Sequence, residues 1–162
     1  MASRAVGQAQ ACVDASLAYA RQRTQFGQEI GRFQMVQAML ADMLVRVEAA
    51  RLLCRRVAQL KEAGVERASY EASMAKLYAS DICMQVADQA VQIHGGTGLI
   101  RGNPVEWLFR MLRMMRILTG TSEILRNTGH IFTEERLHPC MVRRGQDEAD
   151  VMFLLQPPDD LG

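Results

Sequence analysis

Thr119, Gly120, Thr121 and Ser122 stand directly ahead of an apolar, helix-like run that carries Glu123 and Arg126. Small polar residues in that place cap a helix or seat an anion, because the first backbone N–H groups of a helix have no partner within it and point outward. A second candidate is "GGTGLIRGN", residues 95–103, whose four glycines permit positive φ and close backbone approach. Such a loop wraps a ligand or a neighbouring chain, or it merely turns the chain between two helices, and spacing alone leaves both readings open. Arg110, Arg113 and Arg116 recur every third residue and share a helical stripe that faces phosphate, a carboxylate or solvent.

Metal chemistry finds little support. Cys12, Cys54, Cys83 and Cys140 lie far apart with no C-x-x-C pair, which fits free, buried thiols in a reducing compartment rather than a tetrahedral zinc site. A di-iron bundle needs two Glu-x-x-His pairs and two further glutamates. Here Glu135 and His138 form a single pair that runs straight into Pro139, so no metal is expected.

The elements that must position these residues are helical. Apolar positions from Phe33 through Met35, Leu40, Leu44, Val47, Leu52, Val57 and Leu60 recur at steps of three and four until Gly64. At 1.5 Å per residue that helix is roughly 45 Å long, so several like it must lie side by side. A second run from Ala68 to about Ile93 stops at Gly95-Gly96, as helices stop at glycine. The alanine-rich segment Ala5 to Tyr19 is helical by propensity, Val105 to Met115 makes a short helical piece, and a last helix is expected from Thr121 to Phe132. No stretch alternates with a period of two long enough to predict a strand. The expectation is an all-α fold, an antiparallel four-helix up-down bundle over residues 1–139.

Beyond Pro139 the periodicity is lost and Gly, Asp and Pro accumulate, so residues 140–162 read as an extension that hangs loose or packs on a partner. With 162 residues and 49% apolar composition the chain is one domain able to bury a core. Its formal charge of +1 gives no reason to expect nucleic acid or an anionic membrane. No segment approaches the twenty or so apolar residues of a membrane span, so a soluble protein is expected. Eleven methionines on helical faces read as adaptable core filler.

"ARQRTQFGQEIGRFQMVQAMLADM", "ASMAKLYASDICMQVADQAVQIHGGTGLIRGNPVEWLFR" and "RILTGTSEILRN" together resemble the C-terminal helical domain of acyl-CoA dehydrogenases, in this order and spacing, from about Ala2 to His130. The resemblance implies α,β-dehydrogenation of acyl-CoA thioesters by FAD in a full-length parent that also has an N-terminal helical domain and a middle β-domain. It implies that Arg23 meets the FAD pyrophosphate of a partner subunit, with Gln25 and Phe26 beside the cofactor. A planar guanidinium suits bidentate phosphate contact. It implies that Gln92, Gly95 and Gly96 lie along the dinucleotide, and that Thr121 and Glu123 also contact it. His94, between them, reads as a hydrogen-bonded structural residue.

In many family members the segment at 119 reads Glu-Gly-Thr, and the glutamate is the base that removes the substrate α-proton. Here the position is Thr119, whose hydroxyl cannot accept a proton near neutral pH without a stronger base behind it. Some members place the glutamate earlier, on the first helix of this domain, ahead of the point where Met1 falls. Thr119 is compatible with that arrangement, or with a homologue that has lost catalysis. The family also commonly shows Arg-Asp where this chain has Arg110-Met111, and Val-Glu-Arg where it has Val105, Glu106 and Trp107.

The expected function is therefore the C-terminal part of an acyl-CoA dehydrogenase-like flavoprotein, the isolated chain being inactive as a dehydrogenase. The competing reading is a helical oligomerisation or regulatory module without redox chemistry. Expected partners are acyl-CoA in the parent and further copies of the chain, as homodimer or homotetramer. The expected compartment is the cytoplasm, or the mitochondrial matrix in a eukaryote.

Overall fold

The computed structural model describes residues 1–127. Helix α1 spans Ala2–Gln22, α2 Gln34–Glu62, α3 Ser69–His94 and α4 Pro104–Met115, and a further helix begins at residue 122 and is described through residue 127. The expected end of that last helix at Phe132, the Glu135–His138 pair, the boundary at 139, Cys140 and the extension 140–162 lie outside the described residues.

The core follows from residue size. α1 turns Ala5, Ala9, Cys12 and Ser16 inward, and α3 answers with Ala75, Ala79, Cys83, Ala87 and Ala90. Side chains this short let the two axes approach closely, so the seam between α1 and α3 is tight. α3 is the central element, packing against α1, α2 and α4. The fourth place in the bundle is filled by α4, which contributes Val105, Leu108, Leu112 and Met115 to the core. The sequence also expects a helix in the run after Thr121, of which residues 122–127 are described, with Ser122 buried and Ile124 57% exposed.

Of the apolar run on α2, Leu40, Met43 and Val47 are buried together with Ala50, while Met35, Leu44 and Leu52 are exposed. Its apolar stripe is wider than the bundle can cover. Thr24–Gln25 and Gln28–Glu29 form a two-stranded antiparallel ladder, with Thr24 opposite Glu29, where no strand was predicted. Strands of two residues carry no periodicity to read.

Helix ends match their local chemistry. α2 ends on Gly64 at φ 78°, with Val65 N–H donating to Leu60 O and Gly64 N–H to Lys61 O, the paired bonds of a Schellman cap. Asn103 accepts from Val105 N at 2.9 Å to cap α4, and Pro104 at the first helical position gives up no bond there.

Candidate functional site

The predicted site residues fall into two groups at two places along α3. The first group surrounds a cleft of about 550 Å³ where the end of α1 meets the end of α3, lined by Arg23, Gln25, Gly95 and Gly96 together with Tyr19, Ile30, Ile93, His94, Thr97 and Ile100. α1 stops at Gln22, and Arg23 is extended at φ −77°, ψ 123°, which carries its side chain past the helix end. α3 stops because Gly95 turns to φ 58°, ψ −143°. A Cβ built on Gly95 or Gly96 would meet nothing within 4 Å, so bare backbone borders open space at the cleft rim. Gly98 has a different job: a Cβ there would lie 3.0 Å from the Val91 carbonyl oxygen, so its lack of a side chain lets the 3₁₀ turn Gly95–Leu99 pack back on α3. Gly98 thus serves the turn between two helices, while Gly95 and Gly96 leave the rim uncovered.

The cleft wall is a stacked pair. Tyr19 and His94 rings lie 4.4 Å apart at 22°. His94 is buried, and its Nδ1–H donates to Ala90 O at 2.8 Å. Thr97 Oγ1 donates to His94 O at 2.7 Å and lies 3.4 Å from the Tyr19 hydroxyl. His94 is thus the hydrogen-bonded structural residue that the sequence suggested. Tyr19 and Thr97 were missed, although Tyr19 stands one turn before Arg23 on the same face, a signal that spacing does carry.

Phe26 and Gly27 join the two short strands, both with positive φ, 51° and 79°. Two left-handed residues in a two-residue hairpin make a type I′ turn, a geometry that favours Asn-Gly and penalises a bulky side chain. Phe26 is nonetheless 92% exposed and touches Phe33 edge to face at 6.2 Å. It stands at the hairpin tip beside the cleft and is absent from its lining, and so is Gln92, which is exposed one turn before the rim.

The second group, Thr119, Thr121 and Glu123, lies elsewhere. From His94 back to Asp81, which faces this group, α3 rises roughly 20 Å. Thr119 and Gly120 take φ 54° and 95°, and the Thr119 hydroxyl donates to Leu118 O at 2.8 Å. Ser122 N–H donates to Arg116 O at 3.1 Å, which closes the loop on itself. The Thr121 hydroxyl oxygen accepts from Ile124 N at 3.3 Å, the expected cap. Glu123 is held below the usual carboxylate range, first by its own backbone N–H, then by the Thr121 hydroxyl, with Arg126 and Arg116 adding to the effect. A general base for a carbon acid needs the opposite shift.

Two α3 side chains meet this loop, and spacing gave no sign of either. Lys76 is 8% exposed and its Nζ donates to Gly120 O at 2.5 Å. Burial lowers its pKa, and the carboxylates of Asp81 and Glu123 act against that. Asp81 accepts from the Ser122 hydroxyl at 3.2 Å and from Arg126 at 2.7 Å. Arg116 Nε lies 2.8 Å from the same carboxylate, but its N–H finds no hydrogen-bond acceptor, so that contact is coulombic. Two arginines of the stripe thus face carboxylates, Arg116 that of Asp81 and Arg110 that of Glu106 one turn away at 2.7 Å.

Residues 1–130 match the family model described as acyl-CoA dehydrogenase, C-terminal domain. The chain is 44% identical over 124 residues to the caffeyl-CoA reductase-Etf complex subunit CarC of Acetobacterium woodii, covering 76% of this chain and 32% of that protein. It is 43% identical over 125 residues to cyclohex-1-ene-1-carbonyl-CoA dehydrogenase of Geobacter metallireducens, covering 77% and 33%. The solved structure of butyryl-CoA dehydrogenase from Megasphaera elsdenii superposes with a TM-score of 0.77 at 36% identity, over 80% of this chain and 33% of that one. The chain thus spans about a third of the length of these relatives.

Proposed function

The chain belongs to the acyl-CoA dehydrogenase family, as its C-terminal helical domain, and on that premise we propose that it contributes FAD contacts and an oligomer interface to a flavoprotein acting on acyl-CoA thioesters. The observation that carries this reading is the convergence of Arg23, Gln25, Gly95 and Gly96 on one cleft although some seventy residues separate the two pairs. A guanidinium for phosphate beside two glycines that keep backbone open to a planar ligand is a donor set that fits a dinucleotide. FAD bound there would supply the hydride acceptor. The chain's own residues bind and orient: Arg23 pairs the pyrophosphate, Gln25, Gln92, Gly95 and Gly96 follow the dinucleotide, and Phe26 covers it from the hairpin tip.

Thr121 and Glu123, roughly 20 Å away along α3, are too distant to share one small contact patch with Arg23. The two-place arrangement supports a flavin shared between subunits, each chain giving its cleft to one cofactor and its 119–123 loop to another, in a homodimer or homotetramer. A proton acceptor for the substrate would come from outside this loop, since Thr119 offers only a hydroxyl already donated to Leu118 O. A cytoplasmic or mitochondrial-matrix setting fits free thiols. The second reading, a module for association alone, is favoured by the apolar face that α2 leaves uncovered.

Titration of the 162-residue chain with FAD, followed by quenching of flavin fluorescence, tests the cofactor reading. Wild type should bind, and Arg23→Ala should weaken binding about tenfold, the value of one charge-assisted phosphate contact. Equal binding by both, or none by either, would leave the association module as the better account.

A further inference from the structure

We infer that Lys76 is a positioning residue, whose ammonium pins the Gly120 carbonyl and, with Asp81 on the same helix, holds the Thr119–Ser122 loop in its left-handed turn. Thr119 is β-branched, and a left-handed backbone strains such a residue, so the turn persists only where surrounding contacts over-determine it. The structure supplies those contacts from one side. Lys76 reaches Gly120 O at 2.5 Å, next to the strained residue, and Asp81 takes the Ser122 hydroxyl at 3.2 Å at the loop's far end. Arg126 and Arg116 then balance the Asp81 charge from the loop's own flanks. Anchoring both ends of a turn to one rigid helix fixes its path, and the Ser122 N–H to Arg116 O bond closes inside that frame.

Lys76 is one of only two lysines among nineteen basic residues. The other, Lys61, also donates to backbone carbonyls, those of Val65 and Glu66, but from an exposed site at the end of α2. Of the two, Lys76 is the buried one, and its Nζ donates to the loop. Its bearing on ligand binding rests on the flavin reading above; its bearing on the loop does not.

Amide hydrogen exchange of the full chain, read residue by residue by NMR, tests the inference. In Lys76→Met, which keeps the stem and removes the donor, the Ser122 amide should exchange about tenfold faster, while α3 amides at residues 79–90 change little. Lys61→Met should leave the Ser122 amide as in wild type. Unchanged exchange at Ser122, or an increase spread evenly along α3, would overturn the proposal, the second because it reports general loosening. Should Lys76→Met fail to fold, the wild type still decides: with two lysines the ¹⁵Nζ signals are assignable, and Lys76 must show the slower ammonium exchange of the pair. Absence of that difference overturns the inference. FAD titration of the same variants separates the two readings, because a loosened loop in a chain that never binds flavin sinks the cofactor and leaves the positioning role standing.

Discussion

Phe26 shows how a single residue can oppose its own backbone. Its left-handed φ of 51° is a conformation that costs an L-residue about 1–2 kcal/mol, and its ring gains little packing where it stands. A natural hairpin tip of this type prefers Asn-Gly. Phe26→Asn should therefore raise stability by about 0.5–1 kcal/mol in urea denaturation, because Asn tolerates the left-handed region and no buried contact is lost. The same change should weaken flavin binding, since the aromatic face beside the cleft is removed. A variant less stable than wild type would show that the Phe26–Phe33 contact is worth more than the strain. Neither the turn nor the strain is legible in "RTQFGQEI", where Phe-Gly carries only the glycine half of the signal. The sequence suggested Phe26 as a cofactor neighbour through family resemblance alone.

Among the elements, helices were legible and their neighbours less so. Steps of three and four, ended by Gly64 and Gly95, located α2 and α3 to within a few residues, because both the apolar spacing and the stop are local. What the pattern could not say is how much of a wide apolar stripe the bundle would cover. On α2 the answer leaves Met35 81%, Val45 69% and Leu52 60% exposed, the last two a heptad apart on one face. Likewise Lys76 and Asp81 look like two charges on a solvated face until the loop some forty residues later arrives against them. An exposed apolar face of this kind on a long helix is what a partner helix covers. Val45→Asp combined with Leu52→Asp should shift the chain from oligomer to monomer in light scattering at micromolar concentration, with circular dichroism unchanged. A wild type already monomeric there would remove the assembly proposal.

At the scale of the whole molecule the tight seam between α1 and α3 has a consequence for pH. Cys12 and Cys83 face into it with no exposure to solvent, and burial pushes both thiols from 9.0 up to about 12. Nearby thiols add to the effect at Cys83. A thiol in the unfolded chain gives up its proton near its ordinary value, whereas the folded chain holds it for about three pH units more. Between pH 9 and 12 the native state therefore binds more protons than the unfolded one, so stability falls as pH rises through that window and is unaffected by these groups below it. Each thiol contributes a slope on the order of 1 kcal/mol per pH unit, and two together would remove much of a typical domain's stability by about pH 11. Urea unfolding of wild type and of Cys12→Ala/Cys83→Ala, under reducing conditions from pH 7.5 to 10.5, checks the argument. At neutral pH the double variant should be less stable by roughly 1–2 kcal/mol, because removing two buried sulfur atoms opens small voids in a close-packed seam. Its stability should then decline more gently with pH, so that the two curves converge above pH 9. Curves that stay parallel to pH 10.5 would mean that the seam admits hydroxide or opens before the thiols ionise, and that the close approach of α1 and α3 is not what holds their protons.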